Sequence, residues 1–294
     1  MSSGIWYGIA AYTIWGTFPL YWRLFSTVPT MQVLAHRIVW SFLALAAIVA
    51  GVRGRAAFRG LSAGAAGIYA LAAVLIGANW FLYVWGVNAG LVVETSLGYF
   101  ITPLISVLLG VVVFRERLRR LQVIAVGLAA AGVAYLTITY GSLPWLALGL
   151  AFSFGSYGLV KKQAPLGSLE GLTLETAMLF PPATAYLLAT AAGERAAFLH
   201  TGLRTDLLLV GGGLVTIGPL LLFASSVQRV PLSIVGILQY ISPTIQFLLG
   251  VFLLGEPFSR TQFIGFAVVW TAVVVFAIDG LRARSIRLRP DLAP

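Results

Sequence analysis

Long apolar runs recur along the whole chain, from "GIWYGIAAYTIWGTFPLYW" near its start to "FIGFAVVWTAVVVFAI" near its end. A helix needs about 20 such residues to cross the hydrocarbon of a bilayer. Inside that hydrocarbon each backbone N–H and C=O has to be satisfied without water, which a helix does within its own segment. The composition agrees: 60% of the residues are hydrophobic and only 10% are charged, where a soluble domain is about 25% charged. The chain reads as an all-α membrane protein.

The runs place ten helices, at 4–24, 31–51, 64–86, 93–114, 121–139, 143–160, 171–192, 207–227, 232–254 and 262–280. The opening "MSSGIWYGIA" has no basic stretch ahead of its apolar run, so it reads as a retained first span rather than a signal peptide. Lys and Arg in the connecting segments set orientation. Alternate connections split these bases 14 to 3, with "RERLRR" and the C-terminal arginines on the rich side. That puts both termini in the cytoplasm. It also accounts for the formal charge of +10 without nucleic acid; the bases face anionic lipid headgroups instead. Cysteine is absent, and His36 and His200 lie far apart, so disulfides, thiolate chemistry and a metal cluster have no residues to work with. No cofactor is expected.

Two of the runs share an unusual feature. "LGYFITPLISVLLG" and "LQYISPTIQFLLG" each carry a proline near mid-helix, Pro103 and Pro243. Shifting the chain by 140 residues aligns them, and nine positions from Pro103–Gln122 recur in Pro243–Gln262. The shared leucines mean little in apolar helices. Proline, Glu116/Glu256, Arg120/Arg260 and Gln122/Gln262 in one register mean more. The chain divides into two five-helix repeats, 1–141 and 142–281, followed by a basic tail at 282–294. An odd number of spans makes the two repeats cross in opposite senses, an arrangement found in secondary transporters.

A mid-helix proline leaves the carbonyl four residues earlier without its helical donor. Those carbonyls belong to Tyr99 and Gln239, and they need protein, water or a ligand. A midplane site formed by Tyr99, Pro103, Gln239, Tyr240 and Pro243 is one reading; a packing kink is the other. Asn79 is either a clasp between helices or, with Trp80, a ligand-facing wall. Arg37 either snorkels to the outer surface or, with His36, forms a gate or a site for an anionic group. Glu94 is an acid at a helix start or a proton-coupling group, and Glu175 is paired with Lys161 or Lys162 or is a coupling group. Glu116 and Glu256 read as loop-end pairs or caps. Trp6, Trp22 and Trp145 read as an interfacial belt, and Gly4/Gly8 and Gly127/Ala131 as points of close helix packing. Gly211–Gly213 is a flexible or close-packed patch.

Several stretches resemble the drug/metabolite transporter superfamily of the EamA type, and more closely the bacterial RarD group. They are "AYTIWGTFPLYWRL", "HRIVWSF", "LIGANWFLYVWGVN", "ETSLGYFITPL", "SLPWLALGLAFSFGSYGLV", "TLET" and "LQYISPT". The resemblance implies ten helices in two inverted repeats. Helices one to four and six to nine would wall a central cavity, with Trp15 among its residues, and helices five and ten would stand outside. It also implies a small-molecule substrate, and the group is linked by name to chloramphenicol handling. One departure stands out: related small multidrug proteins carry an acid in their first helix, and neither the first nor the sixth helix does here. The function expected is therefore secondary transport of small organic solutes, outward, with proton coupling as a candidate and the protein a monomer or homodimer. The alternatives are a sensor or scaffold, and a membrane-embedded enzyme.

Overall fold

The computed structural model describes residues 3–25, 27–52, 54, 58–59, 61–89, 91–141, 143–191, 196–255 and 259–288. Among them are eleven α-helices and no strand. They are α1 (Ser3–Trp22), α2 (Thr30–Val52), α3 (Ala63–Asn88), α4 (Val92–Phe114), α5 (Arg120–Tyr140), α6 (Trp145–Gln163), α7 (Ser168–Thr190), α8 (Leu203–Val227), α9 (Leu232–Leu238), α10 (Ile241–Leu248) and α11 (Arg260–Leu288). By length and composition seven segments are apolar enough to cross a membrane: most of α2, α3, α4, α5, α8 and α11, and the stretch Leu232–Leu253. The helices α1, α6 and α7 are as long but less apolar, because they carry Trp, Tyr, Gly, Thr and charged residues. Many of them, Tyr12, Tyr157, Thr173 and Glu175 among them, pack inside the bundle.

The two proline helices differ. The helix α4 runs unbroken through Pro103. The ninth expected helix, 232–254, is instead three pieces: α9, then a turn at Gln239–Tyr240, then α10 passing into a π-helical turn at Leu249–Leu253. Pro243 offers no N–H to Gln239, and the Gln239 carbonyl accepts from Ser242 N instead, at 3.2 Å. The freed carbonyl is satisfied inside the chain. The break also follows Gly236, which lies so close to α4 that an added Cβ would stand 2.7 Å from the Pro103 carbonyl oxygen. The final helix passes the expected end at 280 and reaches Leu288, taking in the first part of the basic tail.

Helix ends are fixed by distant residues. The helix α4 ends on Arg115 in the left-handed conformation, φ 53°, uncommon for a residue with a Cβ. The turn sends the Glu116 carboxylate to the start of α9, where it accepts from Leu232 N at 2.7 Å and Ser233 N at 2.9 Å. Gly110 makes room, since a Cβ there would meet Glu116 Oε2 at 2.6 Å. Glu116 is thus a cap; Glu256, its partner in the sequence register, lies outside the described residues.

Close helix approaches are built on glycine. Gly4 and Gly8 lay α1 against Arg229, Val230, Ser226 and Leu238, as expected for that motif. Gly127 has nothing near it, contrary to expectation; α5 meets α11 through Gly132 and Gly265 instead. Gly213 is close-packed, its Cβ position 2.6 Å from Ser41 N on α2. The bundle holds two main cores. One joins α1, α2, α3, α6, α7, α8 and α9 around Tyr157, Phe223 and Leu232. The other joins α4, α5, α6, α9 and α11 around Phe100, Ala129 and Val269.

Candidate functional site

A cavity of ≈160 Å³ opens between α1, α2, α3, α4, α6 and the α9–α10 turn. It sits in the half of the bundle where α1 ends and α2 begins. Trp15 and Trp22 face it from α1, Asn79, Trp80 and Tyr83 from α3, and Tyr99 and Thr102 from α4. Phe154 faces it from α6, and Gln239, Pro243 and Gln246 from the broken helix. The helices α7 and α8 contribute no wall residue, so the wall is narrower than the family resemblance implies. The rings also support one another: Trp15 lies 5.9 Å from Phe154 edge-on, and Tyr83 lies 6.0 Å from Tyr99.

Arg37 is the one charged residue on this wall among the described residues. It does not snorkel to the surface. Its guanidinium carbon lies 4.1 Å from the centroid of the Trp80 ring and 5.5 Å from that of Trp22. Its Nε has no hydrogen-bond partner. An arginine at the centre of a spanning helix costs about 2.5–3.5 kcal/mol on insertion scales. A desolvated cation–π contact returns about 2 kcal/mol. The two rings orient the cation, and contacts of that size are comparable with the penalty.

Polar side chains on the wall are mostly engaged. Asn79 Nδ2 donates to Leu150 O at 2.9 Å and Ser153 Oγ at 3.0 Å, so it clasps α3 to α6 while facing the cavity. Gln239 Nε2 donates to Ser106 Oγ at 2.9 Å. Tyr12 and Gln239 also stand together on the wall.

The remaining candidates lie elsewhere. Pro103 is buried outside the wall. Tyr240 is buried in the α4–α11 core, and its hydroxyl donates to Phe100 O at 3.2 Å. His36 packs on Phe198, ring centroids 4.8 Å apart, behind α2. Glu94 accepts from Leu146 N at 2.7 Å and so holds the start of α6. The acid at a helix start serves a helix other than its own. Glu175 accepts from Lys161 Nζ at 2.6 Å and from the Tyr157 hydroxyl at 2.9 Å, fully buried at the other end of the bundle. Lys162 caps the end of α8 and the loop after it, donating to Val230 O at 2.6 Å. With the packed rings of Tyr157 and Phe223, 5.8 Å apart and nearly parallel, these groups fill that end.

Sequence reasoning missed Tyr12, Phe18, Thr95, Thr102, Phe154 and Gln246 on the wall. It placed Trp22 in the interfacial belt, whereas Trp22 lies on Arg37 and lines the cavity. A lipid-facing and a cavity-facing tryptophan look alike in sequence. Trp6 and Trp145 are exposed, as a belt requires. Among the described residues no group of three or more His, Asp or Glu converges to hold a metal.

Comparison with known proteins gives the family. The model of the EamA-like transporter family matches the chain twice, over residues 2–138 and 142–278. An uncharacterized transporter of Bacillus subtilis, YojE, is 46% identical over 285 residues, covering 95% of each chain. Protein RarD of Streptomyces exfoliatus is 45% identical over 294 residues, covering 99% of this chain and 93% of that one. One solved crystal structure superposes with a TM-score of 0.72 over 96% of this chain and 99% of its own, at 18% identity, a likeness of fold. The chain belongs to the EamA-like transporter family, in its RarD group.

Proposed function

We propose that the protein is a secondary transporter that exports small organic solutes by alternating access, with ten spans in two inverted repeats. In this reading α1, α6 and α7 are spans whose lower apolarity reflects their packing within the bundle. The inner membrane holds the protein with both termini in the cytoplasm. The observation that carries the reading is the cavity itself: both halves of the chain build it, and one end of the bundle is filled.

Repeated local geometry supports the inverted pairing. Gly16 of α1 meets Ile245, and Gly155 of α6 meets Ile105, each with a Cβ position 2.7 Å from the isoleucine. Ile105 and Ile245 are register partners. So are Arg115 and Gly255, both left-handed, at φ 53° and 67°. Element packing repeats in the same way: α3 lies on α6 as α8 lies on α1, and α4 on α6 as α10 on α1.

Within this proposal proton coupling falls to Glu175 rather than Glu94. Glu94 holds a helix start, while Glu175 lies at the filled end, where helices have to part in the opposite state. Glu175→Gln leaves the Lys161 charge unpaired, so it is assayed in the fraction that elutes as folded protein; there it is expected to lose flux driven by a pH gradient and keep solute exchange. Unchanged gradient dependence would remove Glu175 from the mechanism.

The reading as a whole is tested by flux of a panel of small organic solutes into proteoliposomes. The wild type is expected to carry at least one, and Thr102→Trp, which fills the cavity, to carry none while eluting as a folded protein. Flux equal to empty liposomes across the panel would favour the sensor or scaffold reading.

A further inference from the structure

We infer that the cavity takes a small organic monoanion, its carboxylate on Arg37 and its single ring against the aromatic wall. This rests on the reading of the cavity as the transport site.

Lys161, Lys162 and Arg119 each have a partner of a kind that Arg37 lacks, although only Lys161 is fully buried and Arg119 is exposed. Lys161 is paired with Glu175. Lys162 donates to the carbonyls of Val227 and Val230. Arg119 donates through Nε to Asp279 at 2.6 Å. Each has an anionic or carbonyl partner supplied by the chain. Arg37 has aromatic faces only, and no carboxylate lines the cavity among the described residues. A guanidinium presents a rigid fork of N–H donors that matches a carboxylate. A counter-charge arriving with the solute completes the site, and a cation meets repulsion with no acid to hold it.

Size and shape narrow the class. A cavity of about 150 Å³ is known to hold benzene, and this one is ≈160 Å³. One ring with one carboxylate fits. Trp15, Trp80, Tyr99 and Phe154 offer faces and edges to a flat ring.

Three probes of one shape test the charge: benzoate, benzamide and benzylamine, titrated onto the purified full chain by thermal shift. Benzoate is expected to raise the melting temperature saturably, and benzamide and benzylamine to require at least tenfold more ligand. Arg37→Met is expected to weaken benzoate at least tenfold and to level the three probes. Arg37→Lys is expected to keep the preference for benzoate with lower affinity. Equal response to all three by the wild type, preference for benzylamine, or no response to benzoate overturns the inference. So does benzoate binding by Arg37→Met at wild-type strength. Should Arg37→Met not fold, the wild-type ranking and Arg37→Lys decide. Flux of the same probes separates the two readings: carriage of benzylamine but not benzoate sinks the anion inference and leaves transport standing. Saturable benzoate binding with no flux of any solute does the reverse.

Discussion

At the scale of single residues, the cavity depends on contacts that no local pattern announces. Arg37 is visible in the sequence as an arginine within an apolar run, and its two outcomes, surface or site, differ by the direction of one side chain. Trp80 and Trp22 settle that direction, from two other helices. Glu94 is likewise visible, but its partner is the backbone of Leu146, 52 residues on. Glycine contacts are more predictive of consequence than of place. Gly16→Val and Gly155→Val would each drive a side chain into an isoleucine, and we expect each to lower the melting temperature measurably, by the equivalent of about 1–3 kcal/mol for overpacking. Ile245→Ala is expected to rescue Gly16→Val and not Gly155→Val, with Ile105→Ala showing the converse. Rescue by either alanine of both variants would contradict the paired contacts.

At the scale of elements, the helices were legible because apolar length is a local property. The ends and breaks were less so, because they answer to neighbours. The same proline motif gives an unbroken α4 and a broken α9–α10. The second copy is tied down by Gly236 against Pro103 O, Gln239 on Ser106 and Tyr240 on Phe100. Two copies of one proline motif therefore give one continuous helix facing one broken helix. Pro243 and Gln239 stand on the cavity wall, and Pro103 stands behind it. Pro243→Ala restores an N–H to the broken helix, and flux is expected to fall well below that of Pro103→Ala at equal expression. Equal flux in the two variants would show that the break is packing alone.

At the scale of the whole molecule, the repeat was readable from polar punctuation, the proline, glutamate, arginine and glutamine that recur at a 140-residue offset. The cavity was readable only in part, since Tyr99, Gln239, Pro243, Asn79, Trp80, Trp15 and Arg37 line it but most of the wall comes from positions that look ordinary in the sequence, Tyr12, Phe18, Thr102 and Phe154 among them. The filled end is held by an ion pair with both side chains almost fully buried, Lys161 and Glu175. Removing one partner of such a pair leaves an uncompensated charge, which costs about 3–5 kcal/mol. Lys161→Met is expected to lower the melting temperature sharply, and Lys161→Met with Glu175→Leu to recover most of the loss. No recovery in the double variant would mean the pair itself carries the stability.

The central proposal is alternating access, in which the two ends of the bundle open in turn; α1 and α6 run between those ends. The absence of cysteine allows spin labels to be placed without background. One pair goes at Leu24 and Leu143, at the ends of α1 and the start of α6, and a second at Ser3 and Gln163, at their opposite ends; all four positions are exposed. Pulsed electron resonance distances in proteoliposomes are predicted to show two populations for each pair, with benzoate shifting the two pairs in opposite directions. A single distance at each end, unmoved by benzoate or by any solute that the protein carries, would contradict the account.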